Sequence, residues 1–326
     1  MSTPTGHNTS FRLRALVVAA LLPALGMLAA LPSMATPSGA TTPTVYPTQH
    51  FIVTATSANT TGQLLTIHNG ATDNTPGALL FVTPSAEPGE SGTFQDWAGT
   101  NVPLGVYYHS TGTNTGNWTI FTEDNATPIP LGMSFNVLVV HAKTSTAFYQ
   151  TSKTTNTPGG DDYTLINNPL TNNNPNAKLI VQDNYNPNGV ISGAYDDNNV
   201  GVWYDASAQK WAVYRESGFL TSMPIGVHFN VLVGTSSTNG GSMSVNYATA
   251  KSEDISNYGS LVNSAATNYD PNAVAFVTHV YGAGDNDVYN NNILGVTYFG
   301  SELVVLNFDQ TQIPLHSEFN ILSFQS

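Results

Sequence analysis

Residues 224–233 read PIGVHFNVLV, and the same block returns as PLGMSFNVLV at 130–139 and as PLHSEFNILS at 314–323. A Pro followed two residues later by Gly sets a turn, because Pro fixes φ and Gly can take the left-handed backbone. The third copy departs, with His316 in the glycine's place. The β-branched and aromatic run behind each turn is the pattern of a strand. Working back from each block, an earlier strand and a hairpin also recur: TPGALLFVT, LGVYY and NWTIF; NPNAKLIVQ, VGVWY and KWAVY; DPNAVAFVT, LGVTY and ELVVLNF. Gly105, Gly201 and Gly295 hold one equivalent position, so the spacing is that of a domain. Repeats of roughly 20 to 50 residues need neighbours to bury a core, whereas a unit of this size can do so alone.

The fold class expected is therefore all-β: three tandem antiparallel β-sandwich or small β-barrel domains, each of about six or seven strands. In the second copy, Trp203 and Trp211 fall on neighbouring strands of a hairpin joined by residues 205–209. Helical signal is nearly missing; the best stretch, 252–262, is weakened by Gly259. Arg12 and Arg14 precede an apolar stretch from Ala15 to Leu31 and the small residues of Ser33-Met34-Ala35, which reads as a signal peptide over 1–35. Residues 36–47 read as a flexible leader, and the β-repeat domains are placed at 48–141, 142–234 and 235–326. Phe51-Ile52-Val53 after His50 resembles His228-Phe229-Asn230-Val231, so the Phe strand reads as occurring four times for three units. Such a surplus fits a strand shared between neighbours, or a ring closed by pairing of the first and last copies as in propellers. Separate tandem domains are the simpler expectation.

The chain carries 21 acidic against 8 basic residues, a formal net charge of −13, and no cysteine. Phosphate recognition needs clustered Lys and Arg, so nucleic acid is not an expected partner, and no membrane span is expected in the mature chain. Without cysteine, thiol chemistry, disulfides and thiolate metal sites are excluded. The expected localisation is secreted, extracellular or cell-surface, with core burial alone holding each unit together.

The run NPNAKLIVQDNYNPNG, followed by Tyr195 and then VGVWYD, KWAVY and MPIGVHFNVLV, resembles a repeat domain found in secreted bacterial proteins of undetermined function. The resemblance covers most of residues 45–326 and is strongest in the second copy. It departs in the first by an insertion around Asp96 and Trp97, and in the third by the loss of both Trp residues. It implies fold and export, with no activity or ligand attached.

Two constellations are candidates for function. Asp183, Asp196 and Asp197 in the second copy, with Asp285 and Asp287 in the third, sit in Asn-rich loops whose oxygens suit calcium, although the spacing is not that of an EF-hand loop. Turn formation explains the same residues. Trp203, Tyr204, Trp211 and Tyr195 are candidate ligand-binding aromatics, because rings stack on apolar sugar faces while amides and carboxylates take the hydroxyls. Tyr195 and Tyr289 each stand six residues before the repeat glycine. Glu123, Asp124, Glu216 and Asp309 recur after the Trp strand, where acidic residues are usually solvated; the catalytic set is expected to be empty. The function read from these features is a non-catalytic secreted or cell-surface structural or adhesion protein. A multivalent carbohydrate-binding protein stands as the alternative, and a secreted hydrolase as the second. No cofactor other than calcium is expected; the expected partners are an extracellular glycan or neighbouring copies of the same chain.

Overall fold

The computed structural model describes residues 48–86, 99–141, 143–189, 193–218, 221–234, 242–247, 255–256, 259–262, 267–282 and 288–325. The expected signal peptide and leader lie outside them. The first repeat forms β1 (Thr48–Thr54), β2 (Thr60–Thr61), β3 (Leu64–Thr66), β4 (Leu79–Ser85), β5 (Leu104–Tyr108), β6 (Trp118–Thr122) and β7 (Ser134–Val140). The second forms β8 (Ala147–Thr151), β9 (Tyr163–Leu165), β10 (Lys178–Asn184), β11 (Val200–Asp205), β12 (Lys210–Arg215) and β13 (His228–Gly234). The third forms β14 (Ser242–Tyr247), β15 (Ile255–Ser256), β16 (Gly259–Val262), β17 (Val274–Tyr281), β18 (Leu294–Phe299), β19 (Glu302–Asn307) and β20 (Glu318–Phe324). The weak helical stretch at 252–262 thus contributes β15 and β16.

These strands build three sheets, and every sheet draws on two repeats. The orders are β1-β7-β4-β18-β19-β16-β15, β2-β3-β6-β5-β10-β13-β8 and β14-β20-β17-β11-β12-β9. Within a repeat the pairing is antiparallel; where repeats meet, β5 with β10, β11 with β17 and β18 with β4, it is parallel. The first repeat thus joins the second, the second joins the third and the third joins the first. Thr44–Ser326 is one compact unit.

This corrects the expectation of separate sandwich or barrel domains. Each repeat does bury a core between its Phe-strand half and its hairpin half, but neither half is a sheet of its own. The ring closes as the alternative reading allowed, though not through the Phe strands: β1, with Phe51, pairs antiparallel with β7, as β8 pairs with β13 and β14 with β20. Phe51-Ile52-Val53 is the outer neighbour of a Phe strand, and the described residues hold three Phe strands.

The Phe strands are apolar at nearly every position because both of their faces are covered. Phe135, Val137 and Val139 face the first repeat's own core with Trp118 and Ile120, whereas Leu138 and Val140 face a central core. Phe229 and Val231 likewise face the second repeat's core and Leu232 the centre, and Phe319 and Ile321 face the third's with Leu322 central. The central core holds Phe81, Ile180 and Phe276, one from each repeat.

An asparagine in each Phe strand completes the ring. The amide of Asn136 donates to the carbonyl of Ala275 (3.0 Å), that of Asn230 to Leu80 (2.8 Å) and that of Asn320 to Leu179 (3.2 Å). Each bond crosses to the same position of another repeat. A second ring runs beside it: Gln182 Oε1 accepts from the Val82 N–H, Thr278 Oγ1 from Val181 and Thr83 Oγ1 from Val277. A buried amide left without such partners would be costly, so these six bonds fix both register and closure.

Candidate functional site

The chemistry of the chain concentrates at the parallel seams. At seam one (β5 and β10) Gly105 lies opposite Asp183; at seam two (β11 and β17) Val202 lies opposite Val280, and at seam three (β18 and β4) Val296 lies opposite Ser85. His279 therefore faces Gly201, and Pro84 faces Gly295. The repeat glycine is needed because a side chain occupies the space its Cβ would take. That Cβ would lie 2.0 Å from Glu123 Oε1 at Gly105, 2.5 Å from Glu216 Oε1 at Gly201 and 2.2 Å from the Phe308 ring at Gly295. Phe308, and not Asp309, is the third-copy counterpart of Glu123 and Glu216; Asp309 lies in the following turn.

Glu123 and Glu216 are buried, contrary to the expectation of solvated acids. Each accepts a backbone N–H from the loop of the next repeat, Glu123 from Asp196 (3.2 Å) and Glu216 from Asn290 (3.0 Å). What faces them differs. At seam one the neighbours are two further buried carboxyls, Asp183 and Asp196. Arg215 pairs with Asp196 and with the exposed Asp197, at 2.8 Å each. One guanidinium cannot neutralise three buried carboxyls, and Asp183 Oδ1 has no hydrogen-bond partner. Burial, and then the Glu123 and Asp196 charges, hold the Asp183 carboxyl well above its ordinary range. Burial does the same for Glu123, and pushes Asp196 up to about 6 against the pull of Arg215.

At seam two a hydrogen-bonded triangle replaces the acids. His279 Nδ1 lies 2.6 Å from Glu216 Oε1, and the Tyr214 hydroxyl donates to the same oxygen at 2.7 Å while standing 2.9 Å from Nδ1. Burial and the Glu216 charge raise the Tyr214 phenol well above its usual range. Seam three is apolar, with Phe308, Leu306 and Pro84. The strands of all three seams border a cavity of about 90 Å³ on the ring axis, lined by Thr83, Gln182 and Thr278 among others.

Above the buried acids, seams one and two carry aromatic rings. Tyr185 and Tyr195 contact each other at 4.8 Å between centroids, and both rest edge-on against the buried Phe121 ring. Tyr281 and Tyr289 form the equivalent pair at 4.6 Å over Tyr214. Tyr107 continues the first group by packing on Phe121, and burial together with the Tyr195 oxygen pushes its phenol up to about 12.

Of the candidate ligand-binding aromatics, Tyr195 is 43 % exposed, whereas Trp211 is 4 % exposed and donates its indole N–H to the Asn174 carbonyl. Trp203 and Tyr204 are half-buried, Trp203 against Tyr163 and Tyr204 against Trp211. The structure thus does not bring the four together as one shelf. Of the candidate calcium ligands, Asp183, Asp196 and Asp197 meet at seam one, and Asp285 and Asp287 lie outside the described residues. Among the described residues, no group of three or more His, Asp or Glu side chains is placed to hold a metal ion.

The threefold plan has a counterpart in sequence families. A family model for a domain of unknown function, DUF7452, matches residues 40–139, 105–233 and 204–323. The chain belongs to this family. The second and third DUF7452 matches begin in β5 and β11, the hairpin strands of the preceding repeat, so the family's unit reaches across a seam. No curated protein and no solved structure matches the chain.

Proposed function

We propose that this DUF7452 protein is a non-catalytic structural and adhesion protein, secreted or held at a cell surface. The observation that carries this reading is what the three repeats keep in common. The amides of Asn136, Asn230 and Asn320 and the Thr83, Gln182 and Thr278 side chains recur in every copy and close the ring. The polar groups at the seams do not recur: Glu and Asp, then Glu and His, then Phe and Pro. Repetition here maintains a rigid body and leaves no reactive set intact. The Arg12–Ala35 stretch, read as a signal peptide, supports export, and the acidic, cysteine-free composition suits an extracellular surface.

The test joins location to activity. Expressed with residues 1–35 in an exporting bacterial host, the chain is expected outside the cytoplasm, cut after Ala35, and cells displaying it should adhere to a surface better than cells without it. A cytoplasmic location would overturn the reading. So would sustained turnover of a polysaccharide, ester or peptide that disappears in the E123Q or E216Q variant.

A further inference from the structure

The cavity on the ring axis sits where the threefold pattern breaks. Gln182, Thr278 and Thr83 hold one equivalent position, and each accepts an N–H from a strand of another repeat. Gln182 is long enough to do more: its amide N–H crosses to the Leu104 carbonyl at 2.7 Å. Val200 and Leu294 stand in the place of Leu104 in the other two repeats, one residue before the repeat glycine. Thr278 and Thr83 are too short to make that second bond, and both line the cavity of about 90 Å³.

The rest of the lining is rich in oxygen that lacks a donor. Asp183 lines the cavity while only 5 % exposed, and its Oδ1 has no hydrogen-bond partner. Asn198, Asn199 and Asn292 line it too. Each gives its amide N–H to a neighbour, Asp197, Asn291 and Asn290 in turn, which leaves its amide oxygen for another partner. The Thr83 and Thr278 hydroxyls, having accepted one N–H each, keep a second lone pair. Among the described residues no Lys or Arg lines the cavity, and His279, which does, has Nδ1 committed to Glu216. Empty protein cavities are apolar; a polar one of this size has room for roughly three waters, or for an ion with part of its water shell.

We infer that the axial cavity binds one hard cation, calcium best of all, through Asp183, the two threonine hydroxyls and the asparagine oxygens, directly or through water. Calcium takes about six to eight oxygens in flexible geometry, from carboxylates, amide carbonyls and water. Magnesium wants a small, near-ideal octahedron and gives up its own water reluctantly, so an irregular shell drawn from three repeats favours calcium. Most of this shell is neutral. The site therefore does not need three acidic or histidine side chains to converge, and among the described residues none do. The attraction comes from Asp183, from the Glu123 and Asp196 carboxyls that act on it, and from a net charge of −13. Thr83 belongs to the first repeat, Asp183, Asn198 and Asn199 to the second, and Thr278 and Asn292 to the third, so the ion ties ring closure to calcium. The site goes beyond the adhesive reading and stands independently of it.

The test starts from the chain stripped with chelator and returned to calcium, magnesium, sodium or potassium chloride at equal ionic strength. Equilibrium dialysis with elemental analysis is expected to find a single bound calcium. The melting temperature should rise by about 5 °C when calcium stands at a hundred times its Kd, and fall back on chelation. Asp183→Asn keeps the shape of the side chain and removes its charge, and should weaken calcium about tenfold or more. Thr278→Gln copies the Gln182 arrangement, with an amide placed to reach the Val200 carbonyl. It should fill the cavity and abolish binding, with the ion-free melting temperature held or raised. Glu302→Gln, at the far end of the β18–β19 hairpin from Leu294, should leave binding unchanged. Ion-free melting curves show which variants fold, and Asp183→Asn carries the test if Thr278→Gln does not. No bound ion after reloading overturns the inference and leaves water as the occupant. An equal rise with all four salts overturns it too, being screening alone. So does calcium binding unchanged in Asp183→Asn or in a folded Thr278→Gln.

Discussion

Seams one and two begin from the same parts: a repeat glycine, a glutamate folded into the space the glycine leaves, a loop N–H from the next repeat, and a tyrosine pair outside. They differ at two strand positions, Asp183 against His279 and Phe121 against Tyr214, and in the loop at Asp196 against Asn290, and together these reverse the electrostatics. At seam two the carboxylate of Glu216 meets donors on all sides, from His279, Tyr214 and Asn290. At seam one Glu123 meets acids, and a buried cluster of carboxyls relieves its repulsion by keeping protons. The same backbone joint thus tolerates a donor-rich network, an acid-rich one and, at seam three, none. The joint itself must then be held by something common to all three, which is the ring of asparagine amides.

The comparison is sharpened first by breaking what the seams share. Asn230→Ala should cost about 3 kcal/mol, the upper end for a buried polar group that strands its partners, because Asn230 donates to Leu80 and also accepts from Asn184. Asn136→Ala and Asn320→Ala should cost less. Urea unfolding with an unchanged m-value measures it; a loss under 1 kcal/mol at Asn230 would mean the seams close without the amides.

The second break separates the two glutamates. Glu216→Gln replaces the acceptor on which His279, Tyr214 and Asn290 converge and should cost about 2 kcal/mol. Glu123→Gln replaces a protonated carboxyl by an amide of nearly the same shape, and should leave stability unchanged or higher at neutral pH. Equal losses at both sites would show that seam one is charged after all.

The third is the pH dependence that seam one imposes. Asp183, Glu123 and Asp196 have folded-state values raised above the unfolded ones, so the folded chain binds more protons than the unfolded chain. Stability from these groups is fully present below about pH 4 and is lost as pH rises, through about 6 for Asp196 and through the raised ranges of the other two. The slope approaches about 1.4 kcal/mol per pH unit for each proton released. Asp183→Asn should flatten the decline measured between pH 5 and 9. A variant as pH-sensitive as the parent chain would assign the protons elsewhere.

Much of this fold was legible in the sequence, and the part that was not has a physical reason. Local signals carried the Phe strands, the Trp203–Trp211 hairpin and the Pro turns, since each depends on residues close in the chain. Closure depends on parallel seams whose registers span only one or two residue pairs, joining strands far apart, and no local pattern marks them. Two signals were present all the same. An asparagine at one fixed place in three strongly apolar strands must find a buried partner. The repeat glycine, opposite the residue before Glu123 or Glu216 by two positions in the hairpin, marks room for a side chain as much as a turn. Aromatic content, by contrast, did not locate the paired rings: Trp211 went to the core, and the partners of Tyr195 became clear only when the loop crossed the seam.

The smallest effect lies in the turn before each Phe strand. Gly132 and Gly226 take φ of +91° and +95°, as the Pro turns predicted, and His316 is held at +71° in the same turn. A left-handed histidine costs about 1–2 kcal/mol relative to glycine in the folded chain. Glycine's greater freedom in the unfolded chain returns about 0.4–1 kcal/mol of that. His316→Gly should therefore stabilise by about 1 kcal/mol or slightly less, and Gly226→Ala should destabilise by a similar amount. A Cβ at Gly226 would meet nothing within 4 Å, so its loss would be one of backbone conformation alone. Matched and opposite shifts would show that the third repeat keeps its turn against the preference of its own residue, because the central core and the Asn320 bond hold β20 where the ring requires it. No gain from His316→Gly would mean that the imidazole makes a contact of its own at this turn and that the third copy has adapted to it.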